Sequence, residues 1–298
     1  MSVGTREPRS HLPRTVWTIA VVGFFVAVGF GVMAPVLPVY VRLFGVSSFL
    51  VGLVASALSV VRLATMPAAS QLLRRVGPRE LVSAGNFLVA FTTLMMGLSD
   101  GYWPTLVWRG LGGFGSAVYG VASMALIFTV APPRQRGRAN ALVGGGFTLG
   151  GMAGPALGGL VAGISLSAPF FFYAATLAIA AAIVLVLVPR TPRADHQART
   201  AVSVGLRQLL GDRRFGAVLA VGFANLWQSN GVRSLVVPLF VVEALGLTTR
   251  EAGWAFSIAA VVQFAAIQPS GWATDRLGRR PVLLFGCVAL LLVSVALS

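Results

Sequence analysis

Long, evenly apolar stretches separated by short gaps dominate the chain. A helix needs about 20 apolar residues to cross the hydrocarbon core of a bilayer. Stretches of that order fall at 16–40, 48–69, 81–99, 103–130, 139–163, 168–188, 215–242, 251–270 and 281–298, nine predicted spans. They are too long and too uniformly apolar for the alternating strands of a membrane barrel, so helices are the expected spanning form. Arg6, Arg9 and Arg14 precede the first stretch, as basic residues precede a secretory signal. At about 25 residues it is too long for a signal core, and no small-x-small cleavage site closes it, so it is expected to remain as a span.

The polar gaps set an orientation. Arg6, Arg9 and Arg14 come before the first span, Arg74, Arg75 and Arg79 between the second and third, and Arg134, Arg136 and Arg138 between the fourth and fifth. The alternate gaps carry only Arg42, Asp100 and the uncharged stretch 164–168. The arginine-rich gaps therefore share one side, which the positive-inside rule makes cytoplasmic, together with the N-terminus. The longest polar stretch, 189–214, holds Arg190, Arg193, Arg199, Arg207, Arg213 and Arg214 and reads as a cytoplasmic linker. It separates a six-span bundle, 1–188, from a second bundle, 215–298.

The second bundle repeats the first. A shift of 201 positions lays Gly45 on Gly246, Gly52 on Gly253, Arg75 on Arg276, Gly77 on Gly278, Arg79 on Arg280 and Gly85 on Gly286. In that register Ser298 falls on Gly97, at the end of the third span. The expectation is two parallel six-helix bundles with nine of twelve spans present and the second bundle incomplete, an arrangement used by secondary transporters.

Composition removes the soluble alternatives. Of 298 residues, 56% are hydrophobic and 10% charged, where a soluble domain carries about 25% charged residues. The net charge of +15 comes from arginine alone, with no lysine. Its placement in gaps between apolar runs fits loops rather than a nucleic-acid-binding face. Arginine-only usage with abundant Ala and Gly points to a GC-rich bacterial genome. Cys287 is the sole cysteine, and His11 and His196 lie in polar segments. No disulfide framework, metal site or bound cofactor is therefore expected. A P-loop needs lysine, and an intramembrane hydrolase needs a nucleophile with a base or a metal, so neither an ATP motor nor an enzyme is expected.

Four segments carry more specific patterns. The stretch GWATDRLGRR contains Gly271, Asp275, Arg276, Gly278, Arg279 and Arg280. Asp275 can pair with an arginine or cap a helix, the glycines permit a tight turn, and the arginines anchor the loop among headgroups. In the first half Arg74 stands at the position of Asp275, followed by Arg75, Gly77, Arg79 and Glu80. The fourth span carries Arg109, Gly113, Gly115 and Ala117, and a charge within a span is a functional candidate by default. Outward snorkelling is the alternative for Arg109, which lies near the outer end. The fifth span carries Gly146, Gly150, Gly154, Pro155, Gly158 and Gly159, whose four-residue spacing makes a smooth ridge for a close helix neighbour. The first span closes on Pro35 and Pro38, which bend a helix.

These segments resemble the major facilitator superfamily over essentially the whole chain. The loop 271–280 is similar to that family's G-x-x-x-D-R-x-G-R-R loop between the second and third helices of each half. With Arg74 in the aspartate's place, the resemblance implies a first-half gating ion pair that is either weaker or rebuilt around Glu80. The fourth span is similar to R-x-x-x-G-x-G-x-A, whose arginine is assigned to proton transfer, so the resemblance implies that role for Arg109. The fifth span resembles the motif of the antiporter, drug-exporting branch, through Gly150, Gly154, Pro155, Gly158 and Gly159. In that fold the first, fourth and seventh helices line a central cavity, which points to Asn225, Gln228, Asn230 and Arg233 as substrate contacts beside Arg109. Interhelical hydrogen bonding is the alternative for the polar residues of the seventh span. Arg62 is expected to reach the cytoplasmic interface.

The expected function is a secondary active transporter, working as a monomer in the plasma membrane and exporting small amphiphilic or drug-like solutes against protons. No Asp or Glu lies within a span, since Asp100, Glu243 and Glu251 fall at outer ends. The proton carrier is therefore expected to be Asp100 or Glu243, or to lie in the three absent spans, or coupling is of another kind. Uptake or exchange of an organic anion or sugar-like metabolite is the second reading, prompted by Arg62, Arg109 and Arg233. A non-transporting membrane assembly or receptor subunit is the third.

Overall fold

The computed structural model describes residues 12–190 continuously, the helices Arg213–Leu226 and Arg279–Ala296, and scattered positions around these two. The first predicted span is two helices, α1 (Arg14–Met33) and α2 (Leu37–Arg42). The break between them follows from Pro35 and Pro38, which lack the backbone N–H that a continuous helix donates. Then come α3 (Ser48–Arg75), α4 (Pro78–Gly97), α5 (Tyr102–Val130), α6 (Arg136–Ala162) and α7 (Ala168–Leu187). Five of these, α1, α3, α4, α5 and α7, are long and apolar enough to cross a membrane. Glycine dilutes the hydropathy of α6 without shortening it. The protein is a multi-pass membrane protein, and among the described residues every regular element is helical.

The helices alternate in direction and pack in a pattern with internal symmetry. α1 lies against α6 and α7, α5 lies against α3 and α4, and α4 meets α7 in the middle. Exchanging α1 with α5, α3 with α6 and α4 with α7 leaves that list unchanged. Helices that exchange run in opposite directions, so α1 to α4 and α5 to α7 form an inverted repeat. Side-chain hydrogen bonds fix the end away from the arginines. The Tyr40 hydroxyl donates to the carbonyls of Met96 (3.1 Å) and Ser99 (2.9 Å), and the Tyr102 hydroxyl donates to Leu50 (3.1 Å). Nearer the arginine-rich end Ser83 Oγ donates to the Ala181 carbonyl at 3.1 Å, joining α4 to α7.

Glycine makes the closest crossings. On α6, a Cβ added at Gly146 would stand 2.6 Å from the Ala20 carbonyl oxygen, at Gly154 2.6 Å from Gly31 Cα and the Val28 oxygen, and at Gly158 2.6 Å from the Val32 oxygen. Gly150 faces the Phe24 carbonyl in the same way. The four-residue ridge therefore packs backbone to backbone along α1, with Pro155 beside Gly31. On α5, Gly113 meets the Leu58 carbonyl of α3 and Gly115 meets the Gly85 carbonyl of α4.

The 201-residue register reappears in backbone geometry. Gly45 and its mate Gly246 both take left-handed φ, +70° and +64°. The helix Pro78–Gly97 and the helix Arg279–Ala296 begin at matched positions. Gly77 and Gly278 differ, at φ −64° and +88°. Pro78 holds the residue before it in extended backbone, whereas Arg279 imposes no such limit on Gly278. Gly45→Ala is therefore expected to destabilise by about 1 kcal/mol, while Gly77→Ala changes little, as heat denaturation of the two variants in detergent would show.

Candidate substrate pathway

The apolar face of α5 turns Arg109 inward. Its side chain is 6% exposed, Nη1 lies 3.9 Å from Met33 Sδ on α1, and Nε has no hydrogen-bond partner among the described residues. Arg109 therefore does not snorkel outward; the bundle encloses it. Across from it on α7 is buried Tyr173, whose ring meets Phe30 of α1 edge-on at 6.3 Å. The Tyr173 hydroxyl lies within electrostatic reach of Arg109, Tyr119 and Arg62 together. Tyr119, on α5, bonds to Ser123 and feels the charge of Arg62.

Arg62 points toward the arginine-rich end, as expected, but stops short of it. Its Nη2 sits 3.2 Å from the point where a Cβ on Gly120 would stand. Gly120 lies ten residues before Val130, so the guanidinium is about 15 Å from the arginine-rich end of α5. The Arg62 backbone nitrogen faces Gly113 and the guanidinium faces Gly120, so the half-buried side chain runs along α5 toward the arginine-rich end and stops short of it in the space that Gly120 leaves. The result is a group of two guanidiniums and two phenols spread over α3, α5 and α7. Neither tyrosine stood out in the sequence, because a lone Tyr in an apolar run carries no pattern. Asn86 of α4 was missed too: it is 1% exposed, and its amide nitrogen finds no partner among the described residues.

The loop residues divide between the halves. Arg75 is exposed at the end of α3, and Gly77 is the residue preceding α4. The Arg79 guanidinium donates to the Leu185 carbonyl in the last turn of α7 and lies 3.5 Å from Glu80. Arg79 thus satisfies a carbonyl that the helix itself leaves open. Arg276 and Arg280 are exposed, and Gly278 adopts its left-handed turn just before Arg279. Asp275, Gln228, Asn230 and Arg233 lie outside the described residues, as does the side chain of Asn225. Among the described residues no cluster of His, Cys, Asp or Glu could hold a metal ion. Gly159 and Pro155 are buried within α6 with Gly150, Gly154 and Gly158.

Comparison with known proteins agrees with this architecture. The model of the Major Facilitator Superfamily matches residues 19–298. Multidrug resistance protein 2 of Bacillus subtilis (strain 168) is 28% identical over 176 residues, covering 59% of this chain and 44% of that protein. Quinolone resistance protein NorA of Staphylococcus aureus (strain MRSA252) is 28% identical over 174 residues, covering 57% and 44%. The chain thus spans less than half the length of these relatives in the matched region. Among solved structures, a bacterial homolog of the human lysosomal transporter Spinster superposes with a TM-score of 0.69. It is 17% identical, with 90% of this chain and 63% of that one covered.

Proposed function

Since the chain belongs to the Major Facilitator Superfamily, whose members are transporters, we propose that it is a secondary active exporter of small amphiphilic, drug-like solutes, driven by protons and working by alternating access. The observation that carries the reading is the enclosed Arg109, held among α1, α5 and α7 where an ordinary structural side chain would be apolar. A cation so placed is expensive in a membrane protein and marks a pathway for substrate or ion. The resistance names of the relatives favour export over uptake. The protein sits in the plasma membrane with the arginine-rich ends of its helices in the cytoplasm, as a monomer. Its first six-helix bundle is followed by the linker 189–214 and a second bundle from 215. Substrate contact in that second bundle is assigned to Asn225, Gln228, Asn230 and Arg233. The ridge from Gly150 to Gly159 is the antiport element, and the loops around Arg75 and Asp275 are the gates. The proton-carrying carboxylate lies outside α1 to α7, since Glu80 is at the start of α4 and Asp100 is exposed on the α4–α5 turn.

The test is accumulation of two fluorescent amphiphiles, one cationic and one carboxylated, in bacterial cells lacking their own exporters. Expression should lower accumulation of at least one dye, and a proton uncoupler should restore it. Unchanged accumulation of both dyes would reject export and turn attention to uptake of labelled organic acids.

A further inference from the structure

We propose that the first bundle recognises the negative charge of an amphiphilic organic carboxylate, through Arg62 and Tyr119 with Arg109 and Tyr173 behind them. The proposal rests on the reading of this region as a solute pathway and adds the class of solute.

The chemistry of the group is one-sided. Each guanidinium offers five N–H donors and no acceptor, and it does not give up its proton. Two of them stand inside the bundle, and the seven helices offer no carboxylate to match them. Glu80 is held beside Arg79 at 3.5 Å, and Asp100 is exposed on a turn. Enclosing a cation without a counter-charge is strongly unfavourable. The phenols of Tyr119 and Tyr173 offer partial acceptors, and Met33 Sδ is a weak one. The unsatisfied Nε of Arg109 shows that these do not complete the set. Arg62 stands about 16 Å farther along α5 with the Tyr119 phenol near it, and an incoming anion completes its own set of acceptors.

The surroundings narrow the anion. Arg109 and Tyr173 are buried, whereas Arg62 and Tyr119 are partly exposed, so a ligand meets Arg62 and Tyr119 first. One accessible guanidinium matches a single carboxylate in fork-to-fork geometry. The rings of Phe30 and Tyr173, in contact at 6.3 Å, and the Met33 side chain give an apolar floor. An acid with an apolar body fits both parts. A purely cationic solute meets two like charges and no carboxylate in this bundle.

Binding of 11-(dansylamino)undecanoic acid and of its primary amide, followed by dansyl fluorescence, tests this on the protein in phosphatidylcholine nanodiscs. The two probes differ only in charge at one end. The acid should bind about ten-fold more tightly than the amide. Arg62→Gln should abolish that preference, bringing the acid down to the affinity of the amide, and Arg62→Lys should retain part of it. Equal binding of acid and amide, or a preference that survives Arg62→Gln, overturns the proposal. Should Arg62→Gln fail to fold, Tyr119→Phe carries the test: a selective loss for the acid supports the site, and no change contradicts it. Discs containing one part in three of phosphatidylglycerol separate solute from lipid. A preference that persists there supports a solute site, and one that disappears assigns the group to a lipid headgroup and overturns it. Binding is independent of export: acid preference without uncoupler-sensitive export rejects only the export reading, and export without acid preference rejects only this one.

Discussion

Gly154→Ala is expected to destabilise the bundle by about 2–3 kcal/mol, the upper range for overpacking a tight interior, and to abolish transport. One methyl group suffices because of what it meets. The new Cβ would stand 2.6 Å from Gly31 Cα and from the Val28 carbonyl oxygen. Those are backbone atoms of α1, so no flexible side chain can yield, and the helices must separate along their length. Gly151, three residues earlier on α6, provides the control, since a Cβ there meets nothing within 4 Å. Gly151→Ala should be neutral or slightly stabilising, because alanine favours the helix by about 1 kcal/mol over glycine. Heat denaturation of both variants in detergent, read by the folded fraction on size exclusion, checks the contrast. Equal melting of the two would mean that α1 and α6 do not cross through this ridge.

Replacing Arg109 should separate stability from activity. Arg109→Leu removes a cation that no carboxylate of the described residues compensates and leaves a side chain of similar bulk beside Met33. Substituting apolar groups for buried charges is often stabilising, by about 1–4 kcal/mol. The variant is therefore expected to melt higher than the parent and to lose export at least about ten-fold, the loss expected when an intramembrane charge serves the pathway. A residue present only for structure would do the reverse, lowering the melting temperature while sparing transport in whatever folds. Melting temperature and uncoupler-sensitive dye accumulation, measured on the same variant, distinguish the two.

Most of the helical layout was legible because the solvent is a bilayer. Apolar runs long enough to span gave α1 to α7 within a few residues, the end of α3 apart. Pro35 announced the break between α1 and α2. The 201-residue shift placed Gly45 and Gly246 together, and both adopt the left-handed backbone. The inverted repeat within the first bundle was not legible, for a physical reason. At the α1–α6 crossing the glycine ridge is on α6, whereas at the symmetry-related crossing the close approach is made by Gly113 of α5 against α3. The same spacing is reached from opposite partners, so no residue pattern repeats. The reach of Arg62 was legible only in direction, because a sequence shows a cation's height along its own helix and not the space a neighbour leaves for it. Gly120 on α5 supplies that space. Tyr119 and Tyr173 acquire significance only when α3, α5 and α7 bring them near two guanidiniums. Arg79 shows a related limit: its carbonyl partner, Leu185, belongs to a helix three elements later.

Export driven by protons is the central claim, and purified protein in sealed liposomes tests it most directly. With a fluorescent amphiphile inside and an imposed pH gradient, acidic outside, solute should leave faster than without the gradient while protons enter. Arg109→Leu should eliminate the gradient-dependent part. Solute release that ignores the gradient in the parent protein, with no accompanying proton entry, would contradict the account.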